Sequence, residues 1–467
     1  MYVRKTTRSS QIKSNLNHPV VDSDAHILEN YFAFTEFLKE VGGQSMADQY
    51  YEATRAVDKR GMFWAAPSGE RTIDRATVML PKLYAERLEE AGIDFSITYS
   101  TMALRIQHMM NNELRQAGAR ALNLMMADMF KEVQYRMTPA AVIPMYTPEE
   151  AIDELEYAVN QLGFKAIMVN NDIRRPLPEN PRSPTLTNFY ITSLTIDSPY
   201  DYDPFWSKCV EFGVAPTSHS SSQGSGTRRS TSNFAYKRLG DFAASADHLA
   251  RSIFIGGVSR RFPTLNFGFL EGGVGWACQL YNDLFEMWEK RNVDALKANM
   301  DPKKLDKELM VQMFDEYGTD YLTAEKFLDN WILPYSDPAE KSLDDFEACN
   351  ITDLEMIRDL FVKPFYFGCE ADDRMNLVAF DESLNRFGVK LKAMFGSDIG
   401  HWDVLDMTKV LEDAYKPVEE NLMTENDFMD FTFTNPVRLH TGMNPNFFKG
   451  TSVESYTETL LSDKQIT

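Results

Sequence analysis

The sequence predicts an α/β fold, a (β/α)8 TIM-like barrel with two mainly helical insertions. Short apolar strands alternate with amphipathic helical stretches, which is the pattern of a parallel sheet, and eight such strands can be counted. No glycine-rich nucleotide fingerprint follows the first of them, which weakens the open doubly wound alternative. The strands are expected at Val20 to Ile27, Phe95 to Tyr99, Ala141 to Met145, Lys165 to Asn170, Val214 to His219, Asn266 to Leu270, Phe365 to Cys369 and Lys390 to Phe395.

Three stretches fall outside a minimal barrel. Residues 1–19 read as an N-terminal extension to a barrel spanning 20–430. Helical patterns at about 30–90 and 292–358 interrupt consecutive strands, and the polar, aromatic tail 431–467 is expected to wrap the barrel surface. The first insertion is rich in aromatic and Met residues, which suits either a cap over an apolar substrate or a subunit interface.

With 43% hydrophobic and 25% charged residues, the 467-residue chain has the composition of an ordinary soluble protein. A net charge of -21 argues against nucleic acid or an anionic membrane as partner. No apolar run is long enough for a membrane span, and the N-terminus has no apolar signal core. Cys209, Cys278, Cys349 and Cys369 are far apart and form no CxxC pair, so neither a disulfide framework nor a thiolate zinc site is expected. A cytoplasmic enzyme for a small molecule, with a homo-oligomer open, is the expectation.

The chemistry concentrates at strand ends. In HPVVDSDAHILEN, alternation along a strand turns Asp22, Asp24 and His26 the same way, into the barrel. Such an Asp and His can share a metal ion or form a structural hydrogen-bonded pair. His219 ends the fifth strand in APTSHSS. Asp398 ends the last in KAMFGSDIGHWD, with His401 and Asp403 just beyond. Barrel closure puts the ends of the first and last strands at one mouth.

Asp24-x-His26, His219 and Asp398 together resemble the metal sites of the amidohydrolase superfamily. The branch most similar is the amidohydrolase-related group that includes aminocarboxymuconate semialdehyde decarboxylase. The runs GGVSRRFPTLNFGFLEGGVGW (Gly256 to Trp276), FGSDIGHWD and AGIDFSITY resemble that branch's sixth, eighth and second strands. The resemblance implies that Asp24, His26, His219 and Asp398 ligate a divalent ion, Zn, Mn or Fe. Such an ion would hold and acidify a water and polarise a substrate carbonyl or carboxylate, in a hydrolase or decarboxylase reaction. Asp398 would orient or deprotonate the water.

Two departures stand out. Asp24 replaces the first His of the usual His-x-His, and Glu271 stands where the decarboxylases place a His. A carboxylate serves as base or ligand, not as an imidazolium acid, so Glu271 is expected as base. His248 and His401 extend the candidate ligands; the other reading is helix capping or support of another ligand for His248, and support of another ligand for His401. A set of seven (Asp24, His26, His219, His248, Glu271, Asp398, His401) resembles the amidohydrolase-fold diiron monooxygenases. Two irons and a bulky apolar, thioester-borne substrate are therefore the rival expectation, with a non-catalytic binding barrel as a third. Arg228 and Arg229, in the polar loop SSSQGSGTRRS, are expected to grip a substrate carboxylate or phosphate. Glu370, Asp372 and Asp373 read as solvated loop charges.

Overall fold

The computed structural model describes residues 3–54, 66–177, 189–219, 226–228, 230, 232–331 and 343–462. Eight parallel strands follow one another in chain order around a single sheet. They are β1 (Val21–Ile27), β2 (Phe95–Ser100), β3 (Met137–Val142), β4 (Ala166–Val169), β5 (Pro216–Ser218), β6 (Phe267–Phe269), β7 (Phe365–Glu370) and β8 (Lys392–Gly396). Almost every strand residue is buried, as expected of parallel strands covered by helices on one face and filled by side chains on the other. The chain forms a (β/α)8 barrel.

The cylinder closes between β1 and β8 at the mouth. Asp398 N–H donates to Asp24 O (2.9 Å) and His26 N–H to Ile399 O (2.8 Å). The buried Asp22 carboxylate accepts from Ser397 N (2.9 Å) and Ser397 Oγ (2.6 Å), and its Oδ1 also takes the Asp24 amide at 3.1 Å. The pairing of β1 with β2 slips between Asp22 and Ala25. That bulge breaks the strict alternation read from sequence: Asp22 staples the seam, while Asp24 and His26 serve the mouth.

The third strand lies earlier than the Ala141–Met145 expectation. Pro139 has no amide to donate and argues against a strand running through it. Here Met137, Thr138 and Pro139 pair with β2, and Ala140, Ala141 and Val142 pair with β4. Pro139 therefore sits where the ladder passes from one neighbour to the other. An antiparallel hairpin, Ile173–Pro176 with Phe189–Thr192, also follows β4 and had no counterpart in the sequence reading.

Between β1 and β2 the described residues form the helical stretch Tyr31–Thr54, broken at Gly43 (φ 76°), and helices Thr72–Met79 and Pro81–Ala91; after β6 they form Gly275–Arg291, Val293–Asn299, Lys307–Tyr317, Ala324–Trp331 and Leu354–Val362. Near the C-terminus, Phe447 and Phe448 are buried. Phe448 packs edge-on against Phe95, at the start of β2.

Candidate metal centre

Four mouth segments deliver the polar side chains. Asp24 and His26 come from β1, His219 follows β5, Glu271 follows β6, and Asp398 and His401 follow β8. All six residues are buried. Asp398 (φ 49°) and Glu271 (φ 55°) hold left-handed backbone, which costs a side-chain-bearing residue roughly 1 kcal/mol or more and turns each carboxylate sharply off its strand. Gly396 and Gly400 keep space for the ligand-bearing strand: a Cβ on Gly396 would lie 2.9 Å from Asp24 Cβ, and one on Gly400 would lie 2.8 Å from His26 Cβ.

The ligand atoms converge. His26 Nε2 lies 3.4 Å from Asp24 Oδ1 and 3.2 Å from Asp398 Oδ1, and His219 Nε2 lies 3.5 Å from Asp24 Oδ1. Beside them His219 Nε2 approaches Glu271 Oε2 (2.9 Å), and His401 Nδ1 approaches Asp398 Oδ1 (2.7 Å). The rings of His26 and His401 stack with centroids 3.8 Å apart. Asp24, His26 and His219 form one group whose atoms lie within 4.8 Å of one another. His26, Glu271, Asp398 and His401 form a second, and Glu271, Glu370, Asp398 and Asp403 a third.

Burial pushes the Asp24 and Asp398 carboxyls up, and neighbouring carboxylates add to the push. Burial also lowers the His26 and His401 imidazoles to about 4, so both rings stay neutral and able to ligate. At the rim of the cluster, burial followed by the Asp398 charge raises both Glu370 and Asp403 to about 9. Glu271 goes the other way. Burial alone would raise it, but the His219 contact and the Arg238 guanidinium beside it bring it down to about 2.

Asp24 Oδ1, His26 Nε2, His219 Nε2 and both Asp398 oxygens are buried without a hydrogen-bond partner. Orphaned acceptors and imidazole nitrogens facing one point are costly unless a cation joins them. Nitrogen and carboxylate donors without thiolate suit Zn²⁺, Mn²⁺ or Fe²⁺, so the residues fit a divalent ion.

The other expected site residues are placed as follows. His248, on helix Asp241–Ile255, is in none of the three groups; burial lowers its imidazole, and the charge acting on it is Arg251, one turn along the same helix. The Arg228 Nε donates to Gly240 O at 3.0 Å, and Arg229 lies outside the described residues. Glu370, read from sequence as a solvated charge, instead joins the carboxylate group. Sequence reasoning missed Arg238, whose guanidinium lies 3.0 Å from Glu271 Oε1 and 4.5 Å from the Phe242 ring centroid. Nothing in FAYKRLGD marks that arginine out.

A family model described as Amidohydrolase matches residues 21–320, well over half of the chain. The chain belongs to the amidohydrolase family. Membership makes it an enzyme of a metal-dependent superfamily, and the donor set above fits that dependence. A 2-keto-4-carboxy-3-hexenedioate hydratase from Sphingobium sp. is 25% identical over 258 residues, covering 54% of this chain and 69% of the hydratase. Among solved structures, an amidohydrolase from Mycobacterium avium subsp. paratuberculosis superposes with a TM-score of 0.54 at 15% identity, covering 91% of this chain and 98% of that one. A 5-carboxyvanillate decarboxylase from Sphingomonas paucimobilis gives 0.50 at 12% identity, covering 90% and 98%. At such identities the structural likeness is one of fold. None of these relatives favours the oxygenase or the non-catalytic expectation. Among the described residues no helix is long and apolar enough to cross a membrane.

Proposed function

We propose that this amidohydrolase holds one divalent ion through Asp24, His26, His219 and Asp398 and uses it for hydrolysis or decarboxylation of a small carbonyl or carboxylate compound. The observation that supports the reading is the meeting of orphaned, buried ligand atoms from β1, β5 and β8. When bound, such an ion acidifies water and polarises a carbonyl or carboxylate oxygen. The hydratase and the decarboxylase among the relatives both have carboxylate-bearing compounds in their names, in keeping with that substrate class.

The protein groups divide the remaining work. Glu271, paired with the Arg238 guanidinium through Oε1, is placed to accept a proton at its Oε2. Asp403, which burial raises, stands in one carboxylate group with Glu271 and Asp398 and is placed to return a proton. His401 sits against Asp398 through Nδ1, with its Nε2 3.2 Å from Thr101 Oγ1. We place the enzyme in the cytoplasm, in keeping with four free cysteines, and leave a homo-oligomer as part of the proposal.

His219→Ala and Asp398→Ala test the assignment by elemental analysis of the purified variants. Each is expected to lose its stoichiometric metal while staying folded. Full metal content in either variant would sink the assignment.

A further inference from the structure

A second group of buried polar side chains lies beside the metal cluster. Val169 of β4 pairs with Ser218 of β5, so Asn170 stands in register beside His219. Asn170 Nδ2 donates to Gln107 O (3.3 Å), which ties the loop after β2 to the end of β4. Around that junction the buried acceptors outnumber their partners. Asp172 Oδ1 and Oδ2, Asn170 Oδ1 and Gln107 Oε1 are all buried without a hydrogen bond, as are both ring nitrogens of His108. Asp172 is 4% exposed and Asn170 0%. Burial is the largest influence on Asp172 and raises it to about 6, with Arg174 near enough to pull it down and Asp241 to push it up; it stays ionised at neutrality. Phe242, next to Asp241, packs its ring edge-on against His219 with centroids 5.3 Å apart.

Buried polar atoms without partners cost about 1–3 kcal/mol each, so a group made mostly of acceptors suits a ligand that brings donors. We infer that Asn170, Asp172, Gln107 and His108 form a substrate subsite for a hydroxyl or amino group. That group would be carried on an apolar segment lying along Phe242, away from the acid or carbonyl end bound at the cluster. The inference rests on the proposed placement of that end at the metal centre.

The test uses the full-length, zinc-loaded chain and calorimetric binding of benzoate, 3-hydroxybenzoate, 4-hydroxybenzoate and 3-aminobenzoate. A hydroxy or amino acid should bind about tenfold or more tightly than benzoate, because a site built to bond a donor rejects the analogue lacking it. The hydroxy and amino arms show which donor is preferred. Asp172→Ala should erase the advantage with zinc content unchanged, and the isosteric Asp172→Asn should reduce it if the alanine variant fails to fold. Equal affinities, no binding by any probe, or an advantage that survives both substitutions would overturn the subsite. Zinc content, read on the same samples, reports separately on the metal centre: a zinc-free chain that keeps the donor preference would overturn the centre and support the subsite.

Discussion

His440 shows what a buried titratable group costs. Its ring stacks on Phe447 with centroids 4.2 Å apart, and both ring nitrogens are buried without partners. Burial lowers its pKa from 6.5 to about 3. Between those values the unfolded chain binds a proton that the folded chain refuses. Stability is therefore flat above pH 6.5 and falls as pH drops toward 3. His440→Leu removes the proton site while keeping an apolar contact with Phe447. From about pH 7 to about pH 5, denaturant unfolding should show the native chain losing about 2 kcal/mol more than the variant. Equal losses would show that this imidazole does not set the acid sensitivity. The same residue scale explains what the sequence could reveal of the site. Asp24 and His26 were legible as polar side chains on one face of the first strand, and His219 and Asp398 because each follows the end of an apolar strand, where a polar side chain is conspicuous. Arg238 and Glu370 were not, since their place depends on which loop folds over which strand end.

At the scale of elements, the seam between β1 and β8 concentrates its hydrogen bonds on Asp22. Asp22→Ala leaves the Ser397 amide and hydroxyl and the Asp24 amide without that acceptor. A loss of about 3 kcal/mol is expected by denaturant unfolding, given ~1–3 kcal/mol for each buried group left unpaired. A loss near zero would mean that the backbone bonds of the seam suffice. Strand existence was legible from apolar runs bounded by turns, and all the strands but the third closely overlap their expected positions. The third was displaced because Pro139 looks like a strand breaker in one dimension and becomes harmless at a handover between two neighbours. The bulge in β1 was invisible for a related reason: a register slip is a property of two strands and leaves no mark on one.

For the whole molecule, the carboxylates Asp24, Asp398 and Glu271, with Glu370 and Asp403 beside them, put acidic groups into a closed interior. A cation that binds only the folded form stabilises it by mass action, by about 4 kcal/mol at a thousandfold excess over its dissociation constant. Dialysis against a chelator should therefore lower the thermal midpoint by about 4 °C for a chain of this size, and returning zinc or manganese should restore it. A midpoint indifferent to both treatments would remove the ion from the stability of the fold. Fold class was legible at this scale because eight alternating units leave few ways to close a sheet.

Asp24 and His26 stand on one side of the joint between the first and last strands, and Asp398 stands on the other. An ion gripped by all three is a rivet through the barrel's suture, so emptying the centre also slackens the cylinder. Amide hydrogens of β1 and β8 should then exchange sooner than those of β4 and β5, which sit across the barrel from the joint.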